Sequence, residues 1–160
     1  MKLIKNLLFI IVFVFISCQP KGKDEVDTQP VYNAGLAEKL KADQYGMSQY
    51  VMAFLKSGPN RSQDSISAVK LQKAHLENIG RLAKEGKLVL AGPFLDDGEI
   101  RGIYIFDVES MEEARALTKS DPAVKAGRLV MELHPWYGSA ALKQVNELHK
   151  SIQKQNVTKQ

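Results

Sequence analysis

Apolar residues follow several different rhythms along this chain, and each change of rhythm marks an element. From Leu7 to Ile16 they are continuous, LLFIIVFVFI, with Lys2 and Lys5 just ahead. From Gln19 to Gln29, QPKGKDEVDTQ, they almost vanish, and Pro20 and Pro30 stand near the ends of that stretch. Order is expected to begin near Gly35. Leu36, Ala37 and Leu40 predict a short helix over Leu36 to Ala42, ended by a Tyr45-Gly46 turn. Gln49 to Lys56, QYVMAFLK, is rich in β-branched, aromatic and aliphatic residues and is stopped by Ser57-Gly58-Pro59-Asn60, so it reads as a strand.

Between Asp64 and Glu85 the period becomes helical. Ala68, Leu71, His75, Ile79 and Leu82 recur every three or four residues and line one face, and Gly86 supplies the stop. Lys87 to Ala91 is a short apolar strand ended by Gly92-Pro93. Asp97-Gly98 signals a hairpin, and Arg101 to Val108 is the returning strand. Ser110-Met111-Glu112-Glu113 is a capping box opening a helix that runs to about Thr118. Asp121-Pro122 opens a further turn closed by Gly127, and Arg128 to His134 is the fourth strand. Ser139 to Lys154 is helical by pattern, with Leu142, Val145, Leu148 and Ile152 on one stripe.

The order strand, helix, strand, strand, helix, strand predicts an α+β, ferredoxin-like domain with a C-terminal helical extension. Its sheet looks apolar on both faces. Tyr50, Met52 and Phe54 alternate with Val51, Ala53 and Leu55, and Ile103 and Ile105 alternate with Tyr104 and Phe106. Two helices cover one face. The other needs a second copy, hence an expected homodimer, or the chain's own C-terminal helix.

The N-terminal run is too short to span a membrane, since ten helical residues rise about 15 Å. It fits a secretory signal, and Phe15-Ile16-Ser17-Cys18 resembles a bacterial lipobox with Phe where Leu is usual. The expected organisation is a lipoprotein-type signal over 1–17, a polar tether over 18–35, a domain over 36–137, and a C-terminal helix and tail over 138–160. Cys18 is the expected lipidation site, which places the protein at a bacterial cell envelope, lipid-anchored on the periplasmic face or the outer membrane. An ordinary signal peptide is the alternative. Loss of residues 1–17 removes two lysines and lowers the formal charge from +4 to +2 over the remaining 143 residues. That balance lacks the concentrated basic excess of a nucleic-acid binder. The single cysteine excludes an internal disulfide and, once lipidated, thiol catalysis.

The chain has no GxGxxG, GxxxxGK[ST] or GxSxG loop, and His75, His134 and His149 show no metal-ligand spacing. Neither a cofactor nor a metal is expected. His75 lies mid-way across the buried face of its helix, where an imidazole must find a partner. It is either a core histidine on a backbone carbonyl or a pocket base held by a carboxylate. Asp121 is the best carboxylate, with a helix N-cap as its plain alternative. Asp96 and Asp97 are explained by the hairpin. Gly92, Pro93, Arg101 and Trp136 are candidate pocket residues.

Together, KAHLENIGRLAKEGKLVLAGP, Gly98 to Phe106, SMEEARAL and DPAVKAG ending in ELHPW resemble the YCII-related family of small, dimeric α/β-barrel domains, over roughly Gln49 to Trp136. The resemblance implies a His–Asp pair in a pocket, at His75 and Asp121 here. It implies a small organic ligand and proton-transfer chemistry of the isomerase or lyase type. The signal, tether and C-terminal extension depart from the family's usual form. Two alternatives stand: a non-catalytic ligand-binding or envelope-assembly module in which the pair is structural, and a monooxygenase on the same scaffold.

Overall fold

The computed structural model describes residues 31–157. The expected signal, most of the tether and Cys18 lie outside them. The elements are α1 (Ala34–Lys39), β1 (Met47–Ser57), α2 (Ser65–Lys84), β2 (Leu88–Pro93), β3 (Ile100–Phe106), α3 (Met111–Ser120), α4 (Pro122–Lys125), β4 (Leu129–Ser139), a 3-10 segment (Ala140–Gln144) and α5 (Val145–Ile152). The sheet order is β2-β3-β1-β4, with every pairing antiparallel. This is the ferredoxin-like α+β topology expected from the pattern, with the C-terminal helical extension present.

β1 is central because it is the longest uninterrupted apolar run in the described region. It pairs along its whole length with β4, from Met47↔Ser139 to Ser57↔Leu129. Alternation then sorts its side chains. Val51, Ala53 and Leu55 join Tyr104, Phe106 and Leu88 under α2 and α3, which contribute Leu82 and Ala114. Tyr50 faces the other way with Val89 and Ile105, and Met52, Leu90, Trp136 and Leu142 pack on them. A register shift between Leu88 and Leu90 lets Val89 and Leu90 serve the same face.

That second face is covered by the chain itself over half its extent. Leu142 packs there, Lys143 reaches Asp107 at 3.2 Å, and the Asn146 side-chain amide donates to the Leu88 carbonyl. The other half stays open. Phe54 meets His134 edge-on, beside Lys56, Glu132 and Ile103. Farther out on α5, Leu148 and Ile152 are 65% and 71% exposed, so the expected apolar stripe packs only at its start.

Several boundaries differ from the sequence expectation. α1 begins at Ala34, two residues early, because the Asn33 carboxamide accepts from the Leu36 N–H and caps it. β4 does not stop at His134 but runs through Pro135 to Ser139, past the expected domain boundary. Pro135 is tolerated because, among the described residues, β4 is an edge strand paired with β1 alone, so the missing N–H falls on the open side. The tail is a 3-10 turn followed by a separate eight-residue helix instead of one long helix.

Candidate functional site

Three elements meet beneath the middle of α2. His75 enters from α2 because it shares the inward face with Leu71, Ile79 and Leu82. Tyr104 rises from β3 on the same side of the sheet. Asp121 occupies the one-residue joint between α3 and α4. Its backbone is extended there, since the following proline disfavours the helical conformation. Asp121 is completely buried, and His75 is 7% exposed.

The two carboxylate oxygens of Asp121 divide the work. Oδ1 accepts from the Ala123 N–H at 2.8 Å and caps α4. Oδ2 lies 2.8 Å from His75 Nδ1 and accepts from Asn78 Nδ2 at 3.2 Å. Both sequence readings of Asp121, cap and histidine partner, therefore hold at once. An ionised carboxylate can only accept, so it places the imidazole proton on Nδ1 and leaves Nε2 with its lone pair. Tyr104 stands at that nitrogen, its hydroxyl 3.3 Å from Nε2, and its ring lies nearly parallel to the imidazole at 6.0 Å. Burial and then the Asp121 carboxylate push the Tyr104 phenol well above its usual range. Its hydroxyl therefore stays protonated and can donate to Nε2.

The arrangement is a base with a fixed tautomer whose free nitrogen is occupied by a phenol. Chemically it can take up a proton at Nε2 and stabilise the resulting imidazolium on Asp121. Asn78 and Tyr104 were not singled out in the sequence. Asn78 had a signal, since it lies one turn from His75 on α2, facing the same way. Tyr104 had none beyond strand alternation, because its meeting with His75 depends on how α2 sits on the sheet.

The other candidates do not converge here. Trp136 points to the opposite face of the sheet, tilted on Tyr50 at 5.8 Å between ring centres. A Cβ on Gly138 would fall 2.1 Å from the indole, so the ring folds over a position only glycine can fill. Arg101 alternates with Gly102 and Tyr104, so it too faces away from His75, and its guanidinium donates to the Gly98 carbonyl at 3.3 Å. Gly92 and Pro93 end β2, where the Gly92 carbonyl crowds Gly102 closely enough to exclude a side chain there. A cleft of about 450 Å³ opens elsewhere, lined among others by Lys41, Lys87, Asp107 and Lys143, and neither His75 nor Asp121 contributes to it. Among the described residues no group of three or more His, Cys, Asp or Glu gathers as a metal site, and no helix is long and apolar enough to cross a membrane.

The YCII-related domain family model matches residues 50–137, more than half of the chain. The chain belongs to the YCII-related domain family. The matched segment begins at Tyr50 in β1 and ends at Tyr137 in β4, so it contains His75, Asn78, Tyr104 and Asp121. An uncharacterized Bacillus subtilis (strain 168) protein, YjpA, is 34% identical over 62 residues, which cover 39% of this chain and 71% of that protein. Among solved structures, the chain is similar to 5-chloro-2-hydroxyhydroquinone dehydrochlorinase from Burkholderia phenoliruptrix AC1100, solved in complex with 2,5-dihydroxybenzoquinone. The identity is 22% and the TM-score 0.42, over 56% of this chain and 93% of that one.

Proposed function

We propose that this YCII-family protein binds a small organic molecule and moves a proton on it with His75, as in an isomerase or a lyase. The observation that carries the reading is the 2.8 Å contact between His75 Nδ1 and Asp121 Oδ2. A carboxylate accepting at Nδ1 leaves Nε2 as the basic atom. Tyr104 rests on it at 3.3 Å, looser than a strong O–H···N bond, so a ligand that reaches Nε2 has to take the place of this phenol. His75 Nε2 would take a proton from a carbon or hydroxyl of the ligand. Asp121 then stabilises the imidazolium, and return of the proton or departure of a leaving group completes the step. No cofactor or metal enters this scheme. A panel of small enolisable acids and ketones, screened by thermal shift and by deuterium exchange at the ligand's acidic position, tests it. Exchange present in the native chain and lost in a folded His75→Gln variant is expected; binding and exchange unchanged by that variant refute it.

The same proposal places the domain at the bacterial envelope on a lipid attached to Cys18, supported by the Phe15-Ile16-Ser17-Cys18 sequence. Stable anchoring takes more than one acyl chain. Cys18→Ser protein that still sediments with membranes refutes this part. A homodimer completes it, supported by the open half of the second sheet face around Phe54 and Ile103.

One observation favours a second reading. Both imidazole nitrogens have protein partners, and the Asp121 carboxylate accepts three donors in full burial. A polar knot of that kind also locks α2 to α4 and β3 in a non-catalytic binding or assembly module. In that case His75→Gln and Asp121→Asn lower stability and leave ligand affinity untouched.

A further inference from the structure

Asn78 is buried, yet its carboxamide is oriented from the surface. Its Nδ2 donates to Asp121 Oδ2 at 3.2 Å, and its Oδ1 accepts from Arg81 Nη2 at 2.8 Å. The same Nη2 donates to Ser120 Oγ at 3.2 Å, and Ser120 passes its own proton to the Leu117 carbonyl at 2.7 Å. Arg81 Nη1 is held by both oxygens of Glu85 at 2.9 Å. His75, Asn78 and Arg81 on α2 and Glu85 at its C-cap thus follow one another at three- and four-residue steps, from the buried base to solvent.

The chemistry of the two ends leaves the amide one orientation. A guanidinium only donates and an ionised carboxylate only accepts. Turning the amide over would set oxygen against the Asp121 oxygen and NH2 against the Arg81 nitrogens. Asp121 and Arg81 therefore fix the amide from its two ends, and Arg81 is the close anchor at Oδ1, where the Ser120 hydroxyl stands farther off at 3.5 Å. With that donor in place, Oδ2 shares its negative charge between His75 and Asn78, which limits how strongly it raises the proton affinity of the imidazole.

We propose that Arg81 is a positioning residue that sets the proton affinity of His75 through the Asn78 amide. This deepens the proton-transfer reading, because the base strength at Nε2 is what that reading depends on. The charged and titratable groups facing the imidazole are Asp121 from the α3–α4 joint and Tyr104 from β3, with Arg81 reaching it through Asn78 on α2.

The test is a double-mutant cycle on the full-length chain, read from the titration midpoint and nitrogen shifts of the His75 imidazole by NMR. Arg81→Ala removes an exposed side chain. It is expected to raise the midpoint by about half a pH unit or more, because Asn78, no longer anchored at Oδ1 by the guanidinium, donates to Asp121 less firmly. Asn78→Ala is expected to give a similar rise, and Arg81→Ala added to it no further change. If Asn78→Ala does not fold, Asn78→Ser takes its place in the cycle. Arg81→Lys, which keeps one donor for Asn78 Oδ1, is expected to restore most of the native midpoint. An equal Arg81→Ala shift with and without the Asn78 side chain means charge acting through space, and overturns the proposal. So does no shift at all. The cycle needs no ligand, so its failure is separate from a failure of His75→Gln to alter exchange chemistry.

Discussion

Replacement of Asp121 by asparagine keeps the shape and removes the charge, so its consequences can be followed atom by atom. The Oδ1 cap on Ala123 survives, since an amide oxygen still accepts. The new NH2 takes the place of Oδ2 and faces His75 Nδ1 at 2.8 Å and Asn78 Nδ2 at 3.2 Å. The imidazole can adapt by moving its proton to Nε2, where the Tyr104 hydroxyl must then turn from donor to acceptor. Asn78 cannot adapt, because Arg81 holds its oxygen. One buried donor is left unpaired, at about 1–3 kcal/mol, and a charge-assisted hydrogen bond is exchanged for a neutral one, at about 1 kcal/mol more. The expected loss is roughly 2–4 kcal/mol, a large part of a domain's stability. With a urea dependence of about 1–3 kcal/mol per molar, the midpoint should fall by about 1–2 M. Trp136, the single tryptophan, packed on Tyr50, reports the transition by fluorescence. The imidazole nitrogen shifts should show the proton on Nε2. An unchanged midpoint, or His75 keeping its Nδ1 proton, refutes the account of Asp121 as a saturated, ionised acceptor.

Tyr104→Phe removes the hydroxyl that meets Nε2 without opening a cavity, and should cost about 1 kcal/mol, seen as a drop of a few degrees in Tm. Alkaline pH should unfold the domain through its buried phenols. Burial and then the charge of Asp107 push Tyr50 up to about 12 from 10, and Tyr104 is raised as well. A raised phenol contributes fully below pH 10, and its contribution is lost as pH climbs toward 12, with Tyr50→Phe losing less over that range. Every tyrosine ionising near pH 10 while circular dichroism stays native would contradict this. Phe54→Lys places a second ammonium beside Lys56 on the open half-face and should convert the proposed dimer to monomer in sedimentation velocity; a monomeric native chain at micromolar concentration refutes the dimer itself. Gly58→Ala drives a Cβ to within 2.2 Å of the Gly127 carbonyl, so the loop after β1 must lift off the α4–β4 turn, at about 1–3 kcal/mol by urea denaturation.

The element order was legible because each element in this chain has its own period and its own punctuation. Ser110 caps α3 where its capping box puts it, Asp64 stands where the helical period begins, and Gly86 and Gly127 adopt the left-handed backbone that ends α2 and α4. His75 and Asp121 were legible as a histidine too central to be at an edge and an aspartate in front of a proline. What sequence could not carry was facing. The ring of Trp136 adjoins the matched His-Pro segment in sequence and still lies across the sheet from His75, because strand alternation, set by pairing with β1, decides the side. The donors to Asp121 also depend on the depth at which α2 settles, which no local pattern encodes. The long run of β4 past Pro135 is similar. Proline is a stop signal in a central strand and harmless on an edge, and edge position is a property of the whole sheet.

The pairing of β1 with β4 has a consequence for how the chain comes into being. The central strand finishes at Ser57, and its longest partner begins at Leu129, so more than seventy residues must be made before that partner exists. A nascent chain that has reached α3 carries β1 with one side of its backbone unpaired and both apolar faces incompletely covered, the kind of edge that recruits other strands. Contacts so distant in sequence also make closure slow compared with helix formation. Synthesis that pauses before Ser139 therefore leaves the domain in an association-prone form. Early helix formation at α2 cannot shield it, because α2 covers the other side of the sheet from Trp136 and Tyr50.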